Sequence, residues 1–489
     1  MTVTEGVKEL KNYIGGEWHK PSSEEVMNNL NPANYREVLA VVRQSTEEDA
    51  DAAIEAADYA LASWKSTSSP ARGSYLTKLA TQMRNRQEEL TQAIVKEMGK
   101  TYAEAKKEVL YAAGIADFYA GEGRRMSGKT IPSDMPNVKI ETVQEPLGVA
   151  VIVTPWNFPL SIPTWKIAPA VVSGNTVVLK TSSETPLLGK LFMEMVEAAE
   201  FPAGVINQVI GPGRLVNQMI DHPAVQAISF TGSNNVGNKI YQAASKHMKR
   251  VHLEMGGKNP LVILKDADLD EAVDLAIKGS LGQAGQACTA TGRVIIEADV
   301  HDEFVEKLTD RVSKLRVGNG LEDNIDMGPQ VNEDEKMSTL ELINTARNEG
   351  ANILLGGSSL DSEEHEYGFF VEPTVITQVT RDMTIAKREV FGPVINVMKA
   401  TDLDDAIMIA NDVDYGLSAS VCTKDSNAMV RALNEIEAGL VKANMTTTGT
   451  FYQAPFGGYK QSSSGSFKEL GREGIDFFTK VKTKYIKTS

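Results

Sequence analysis

A cysteine becomes a nucleophile only as its thiolate, only where a reactant can reach it, and only with a group nearby to manage protons. Two segments of this chain supply residues of those types. "GQACTATGR", residues 285–293, sets Cys288 between glycines, which let a ligand approach the backbone, and a row of small hydroxylated residues. "HLEMGGKNP", residues 252–260, places Glu254 between Leu253 and Met255 and beside two glycines, at the end of a strand pattern. A carboxyl in apolar surroundings has a raised pKa, which suits a general base. The other cysteine, Cys422 in the apolar "LSASVCT", reads as a small core residue. Two cysteines so far apart make neither a disulfide framework nor a metal cluster. The six histidines show no HxxxH or HxxE spacing, so no metal is expected.

The elements that must hold these residues follow from periodicity. The first third reads as helical. "STEEDADAAIEAADYALASW" opens with Ser45 and Glu48 in capping-box spacing, a second helix runs to Met98 and stops at Gly99, and a third follows through "AEAKKEVLYAAGIADFYAGEG". From about residue 148 short buried-strand patterns alternate with helical ones: "GVAVIVTPW", "NTVVLKTS", "GVINQVI", "AVQAISFTG" and "HLEMGG". Such alternation implies a parallel, doubly wound sheet with ligands outside the carboxyl ends of its strands. A second series begins at "PLVIL", continues through "RVIIEADV" and reaches about residue 457. Two α/β domains are therefore expected. "VKIETVQEPLG" and the C-terminal "TKVKTKYIK" are different, short alternating strands. The second puts Lys480, Lys482 and Lys484 on one face and Val481, Thr483 and Tyr485 on the other. This is either an edge strand protected by lysines or, paired with the first, an arm that docks on a neighbouring subunit.

A length of 489 residues corresponds to about three domain-sized units, and 42% apolar residues allow a sizeable core, so a soluble globular protein is expected. A formal charge of -15 disfavours nucleic acid and anionic membranes as partners. The N-terminal "MTVTEGVKELKNYIGGEW" lacks the apolar run of a signal peptide and no later run approaches a membrane span, which points to the cytoplasm.

Seven motifs in order, "TPWNFPL", "LKTSSETP", "SFTGSNNVG", "LEMGGKNP", "GQACTATGR", "REVFGPV" and "APFGGYK", resemble the aldehyde dehydrogenase superfamily over nearly the whole chain. In style they are nearest to the bacterial semialdehyde and 2-oxoglutarate-semialdehyde branch. The resemblance implies an aldehyde dehydrogenase-like α/β fold of two doubly wound domains plus a β-strand oligomerisation arm. The cofactor-binding domain would take residues 1–121 and 145–256, the catalytic domain 257–457, and the arm 126–144 and 472–489. It implies NAD(P)-dependent oxidation of a small-molecule aldehyde through a thiohemiacetal and a thioester. Cys288 matches the nucleophile, Asn157 with the Cys288 backbone N–H matches the oxyanion donors, and Glu254 matches the base for the deacylating water. Thr154, Trp156, Lys180, Ser183, Gly213, Gly232, Ser233, Gly237, Met255, Glu389 and Phe391 match cofactor-binding positions. Lys180 would reach the adenosine ribose, Gly232 and Gly237 would flank a helix start near the pyrophosphate, and Glu389 with Phe391 would hold the nicotinamide riboside. A homodimer or homotetramer is also implied, built through the arm strands.

Three departures bear on function. Ser183 stands where NAD-preferring relatives often have glutamate, which leaves room for a 2′-phosphate beside Lys180; NADP is expected to serve at least as well as NAD, with Glu184 next door as the competing carboxylate. Asn234 replaces a common threonine in the phosphate loop. Among substrate-pocket positions, Trp165, Gly282 and Ala287 stand where related enzymes for carboxylated or phosphorylated aldehydes carry arginine, with Thr289 completing the set. A neutral aliphatic or aromatic aldehyde is therefore the first expectation and a dicarboxylic semialdehyde, succinate or 2-oxoglutarate semialdehyde, the second. Two other readings remain: a cysteine hydrolase or acyltransferase needing no cofactor, and a structural homologue without activity.

Overall fold

The computed structural model describes residues 9–488; the ends of the segments expected at residues 1–8 and at residue 489 lie outside the described residues. Continuous apolar runs have become strands buried on both faces, as parallel sheets covered by helices require. Val149–Val153, Thr176–Lys180 and Asn259–Ile263 are buried at every position. Each such valine or isoleucine contributes about 1.5–3 kcal/mol of burial.

The first sheet has seven strands in the order Arg250–Glu254, Val225–Thr231, Val149–Val153, Thr176–Lys180, Ile206–Val209, Asn12–Ile14 and Glu17–His19. The five expected from sequence are mutually parallel, and the two N-terminal ones join antiparallel. From Val149–Val153 the chain builds outward in one direction and then returns to add Val225–Thr231 on the other side. A crevice therefore opens beyond the carboxyl ends of these two strands. The second sheet is ordered Asn352–Leu355, Thr374–Thr377, Val394–Ala400, Thr291–Glu297, Asn259–Ile263, Ser418–Cys422 and Leu440–Ala443, with only Asn352–Leu355 antiparallel. The chain passes from Glu254, the last residue of a first-sheet strand, to Asn259, the first of a second-sheet strand, in one short step. The carboxyl edge of one sheet is thereby brought to the amino edge of the other.

Two expectations are corrected. The first third is not wholly helical, because residues 9–43 contribute Glu9–Leu10, Val26–Asn31 and Asn34–Arg43 as a separate sheet, besides the two strands added to the first sheet. These segments gain their backbone partners from tertiary pairing, as Tyr13 does opposite Gln208. The first long helix, Glu47–Ser66, is capped by Thr46, not Ser45: the Thr46 N–H donates to Asp49 Oδ2 at 2.9 Å. Ser45 is committed elsewhere, donating to Asn12 Oδ1 at 2.9 Å. The helix ending at Met98 does stop at Gly99, whose φ of 88° is the left-handed conformation that ends helices.

The two alternating segments pair with each other. Thr479–Lys487 runs antiparallel to Val138–Pro146 in unbroken register from Thr479 opposite Pro146 to Lys487 opposite Val138, and Thr130–Ile131 adds a third strand. Val481 and Tyr485 are 68% and 72% exposed, so the face opposite the lysines is uncovered as well. Among the described residues no helix is long and apolar enough to cross a membrane.

Candidate active site

Cys288 lies at the amino edge of the second sheet, just ahead of the strand Thr291–Glu297. The helix Leu269–Leu281 ends in the tight turn Gly282–Gly285, where Gln283 and Ala284 both adopt a φ of 54°. Gly285 follows at 74°, and a Cβ there would lie 2.1 Å from the Gly392 carbonyl, so the turn is pressed against the chain that follows Phe391. The Asn259 amide donates to the Cys288 carbonyl at 2.9 Å and the Ala290 carbonyl at 2.7 Å, and the Thr447 hydroxyl donates to the Thr289 carbonyl at 2.8 Å. These bonds fix the loop from behind. Gly257 completes the contact, since a Cβ on it would sit 2.6 Å from the Cys288 carbonyl oxygen.

Burial pushes the Cys288 thiol well above its ordinary pKa, and the charges of Glu389 and Glu254 push the same way. The resting enzyme therefore holds a thiol. Alkylation by iodoacetamide without cofactor is expected to accelerate about tenfold per pH unit from about pH 7 to 9, with no plateau. A plateau below pH 8 would show a thiolate already formed.

Asn157 sits in the turn between Val149–Val153 and the helix Ser161–Val172, buried, with its amide nitrogen donating to the Gln286 carbonyl at 3.1 Å. Its amide oxygen has no hydrogen-bond partner among the described residues. The turn is clamped from below by Glu108, which accepts from the Leu160 and Ser161 N–H groups at 3.0 and 3.1 Å. Glu108 is itself paired with the buried Lys100, whose ammonium lies 4.0 Å from the centre of the Phe158 ring.

Glu254 ends the strand Arg250–Glu254, is 2% exposed, and neither carboxylate oxygen has a hydrogen-bond partner among the described residues. Burial raises its pKa, with His252 opposing. The sequence did not flag three residues gathered behind it. His252 Nε2 is 3.4 Å from Glu254 Oε1, His252 Nδ1 is 3.2 Å from Glu469 Oε1, and Lys166 pairs with Glu469. His252 was discoverable, since two residues before Glu254 on a strand it must share a face with it. Glu469 and Lys166 come from remote segments and gave no local signal.

Most of the residues matched to cofactor binding line the carboxyl edge of the first sheet. Thr154 follows Val149–Val153, and its N–H donates to the Lys180 carbonyl at 3.2 Å. Lys180 ends its own strand; burial brings its pKa down to about 8, Glu184 opposing, and its ammonium makes no protein hydrogen bond among the described residues. Ser183 is half-buried on the loop beyond it. Gly213 lies past Ile206–Val209, whose Val209 pairs with Lys180, and opens onto free space. The Gly232 N–H donates to the Glu254 carbonyl at 3.1 Å. Ser233 precedes the helix Asn234–Ser245 without capping it, which leaves the first-turn N–H groups for an anion. Gly237 in that turn packs on Met255, where a Cβ would come 2.6 Å from the sulfur. Asn234 donates to the Gln461 carbonyl at 2.5 Å and so ties the loop to the remote chain. Glu389 and Phe391 lie at the amino edge of the second sheet instead, ahead of Val394–Ala400. Glu389 accepts from the Gly257 N–H at 3.0 Å, burial raising its pKa to about 7, and Phe391 meets Trp156 edge-on at 5.4 Å. A cradle of glycines, a free helix terminus and an unpaired buried lysine fit a dinucleotide.

Trp165 packs on Phe456 at 5.5 Å, with its indole N–H unpartnered among the described residues. Gly282 faces Glu104, which accepts from the Gln283 N–H at 2.8 Å. Thr289 is buried and held through its carbonyl. Ala287 lines a small cavity with Lys258, Glu389 and Phe391.

A thiol at the meeting edge of two doubly wound sheets, with a dinucleotide cradle across from it, fits the class of NAD(P)-dependent oxidoreductases. The profile of the aldehyde dehydrogenase family matches residues 18–484, and the chain belongs to that family. It is 43% identical to the alpha-ketoglutaric semialdehyde dehydrogenase of Bacillus subtilis, covering 100% of both chains. It is 44% identical to the alpha-ketoglutarate semialdehyde dehydrogenase of Haloferax volcanii, over 97% of this chain and 98% of that one. Among solved structures, betaine aldehyde dehydrogenase from Staphylococcus aureus in complex with NAD+ superposes with a TM-score of 0.95 at 36% identity, covering 98% of this chain and 94% of that one. The protein oxidises aldehydes with NAD(P).

Proposed function

We propose that the aldehyde is alpha-ketoglutarate semialdehyde and that Cys288, Asn157 and Glu254 carry its oxidation. The observation that carries the catalytic reading is the close approach of Gly257 to the Cys288 carbonyl, which joins the end of the Glu254 strand to the nucleophile loop. The names of the two curated relatives supply the substrate. A neutral aldehyde is the second reading, favoured by the aromatic Trp165–Phe456 wall and the lack of a cation at Trp165, Gly282 and Ala287.

Cys288 first gives up its thiol proton to water; the thiolate Sγ then bonds to the aldehyde carbon as the C=O π bond breaks, and the oxyanion that forms is received by the Asn157 amide and the Cys288 N–H. The chemistry a bound nicotinamide supplies there is hydride acceptance. Lys180, Ser183 and the start of the helix Asn234–Ser245 hold the adenosine ribose and the pyrophosphate, with Glu389 and Phe391 at the nicotinamide end. With the thioester formed, Glu254 takes a proton from water as the water oxygen bonds to the acyl carbon. The C–S bond then breaks and the carboxylic acid leaves. Residues 1–121 and 145–256 serve as the cofactor-binding domain, 257–457 as the catalytic domain, and 126–144 with 472–489 as the arm. The exposed Val481 and Tyr485 suit burial in a homodimer or homotetramer, and the setting is cytoplasmic.

The test is kcat/KM for alpha-ketoglutarate semialdehyde, hexanal and benzaldehyde with each cofactor. The semialdehyde is expected to lead by about tenfold or more, with NADP at least equal to NAD. A neutral aldehyde leading by that margin installs the second reading; a strong NAD preference removes the role given to Ser183.

A further inference from the structure

Behind Glu254 lies a sealed cluster of charge. His252 is 1% exposed, and every atom within reach of its ring nitrogens is an acceptor: Glu469 Oε1 at 3.2 Å from Nδ1, and Glu254 Oε1 at 3.4 Å and the Phe467 carbonyl at 3.2 Å from Nε2. A neutral imidazole would turn one bare nitrogen lone pair toward oxygen, whereas an imidazolium satisfies both sides. The helix Ser161–Val172 brings Lys166, paired with Glu469 and donating to Ser229 Oγ at 2.9 Å from the neighbouring strand. The segment after Ser464 brings Glu469 and Lys468, the latter turned to the Gly457 carbonyl, and the helix Glu473–Phe477 contributes only the Phe477 ring. Tyr119, near Glu469, donates to the Gly471 carbonyl at 3.0 Å. Two carboxylates, Glu254 and Glu469, thus face two fully buried cations, His252 and Lys166, while the half-buried Lys468, held on the Gly457 carbonyl, acts on Glu254 from the side.

We propose that His252 is a positioning residue for deacylation, its positive charge keeping Glu254 ionised beside the second carboxylate so that Glu254 can take a proton from water at neutral pH. This rests on the reading of Glu254 as the base. Without the imidazolium, Lys166 is the one fully buried cation beside two buried carboxylates, the half-buried Lys468 being tied to the Gly457 carbonyl, and the balance shifts toward protonation of a carboxyl. Glu469 touches Lys166 and keeps its charge, so Glu254 is neutralised and loses its function as acceptor. The state of the ring agrees: burial opposes its charge, but the two carboxylates outweigh it and hold the pKa at about 9. Burial likewise works against Glu469, yet Lys166 and His252 hold it below the ordinary carboxylate range.

The experiment acetylates Cys288 with p-nitrophenyl acetate in the presence of NADP and follows loss of the acetyl-enzyme by acid quench and intact mass from about pH 5.5 to 9.5. In His252→Gln the acid limb of the deacetylation profile is expected to move up by about one unit or more, near tenfold slower at about pH 6.5 and equal to the parent at the alkaline end. In His252→Gln/Glu469→Gln the limb is expected to return, since Lys166 then faces a single carboxylate. A profile coincident with the parent, a slowing uniform in pH, or failure of the second substitution to restore the limb overturns the proposal. Should His252→Gln not fold, Glu469→Gln alone is expected to move the limb down, and an unmoved limb overturns the proposal equally. Glu254→Gln separates the two readings: slow deacetylation at every pH supports Glu254 as base whatever His252 does, while a parental rate there removes Glu254 from that role.

Discussion

Cys288→Ala is expected to lower kcat for aldehyde oxidation by about 10⁴-fold or more while leaving the cofactor Kd within about twofold. The asymmetry follows from the architecture. Asn259 holds the Cys288 carbonyl and Thr447 the neighbouring Thr289 carbonyl, main-chain contacts that alanine retains, and the cradle of Gly232, Gly237 and Lys180 belongs to a different sheet. Removal of the sulfur deletes the covalent step and little else. Stopped-flow reduction of NADP with quenching of protein fluorescence on cofactor binding separates the two quantities. Residual oxidation above about 1% of the parent would mean that hydride leaves a species not attached to Cys288.

Glu254→Gln has the second largest expected effect, and of a different kind. Formation of NADPH in the first turnover is expected to survive as a burst near one equivalent per site, followed by a steady state slower by about 10²- to 10⁴-fold, the range of a general base. The amide is nearly isosteric, and Gly457, where a Cβ would sit 2.7 Å from Glu254 Oε1, leaves room for it. In the parent, the raised pKa of Glu254 fixes the sign of the pH effect: the carboxyl must be ionised to accept a proton, so turnover falls as pH drops through that pKa. The Glu254→Gln steady state is expected to lose this acid limb. A variant lacking the burst would place Glu254 in acylation instead.

The sequence made the alternating strands from Val149 to Ile263 legible because a sheet buried on both faces writes itself as continuous apolar runs. It made Cys288, Glu254 and Asn157 legible through motif order. Their meeting is tertiary: Gly257 against the Cys288 carbonyl and Asn157 on the Gln286 carbonyl join segments remote in the chain. Of the strands of residues 9–43, pieces of two or three residues such as Asn12–Ile14 were not legible, because they have no period of their own and form only on an existing edge, whereas Val26–Asn31 and Asn34–Arg43 are six and ten residues long and were overlooked. Overlapping capping signals at Ser45 and Thr46 were decided by Asn12, which the local sequence does not contain. The expectation of ligands at carboxyl ends suits Thr154, Lys180 and Gly232. Cys288, Glu389 and Phe391 instead stand at amino ends of the second sheet, and the juxtaposition of the two edges is what lets the proposed site draw on both. The His252, Glu469 and Lys166 cluster escaped for the same reason, since charges that neutralise one another across a core carry no pattern along the chain.

One measurement bears most directly on the thioester at Cys288. Glu254→Gln would be mixed with alpha-ketoglutarate semialdehyde and NADP, quenched in acid after one turnover, digested, and the peptides weighed. The expected result is a single acyl adduct on the peptide that contains Cys288, in amount equal to the NADPH formed. NADPH formed with no adduct, or with the adduct on any other residue, would contradict covalent catalysis by Cys288.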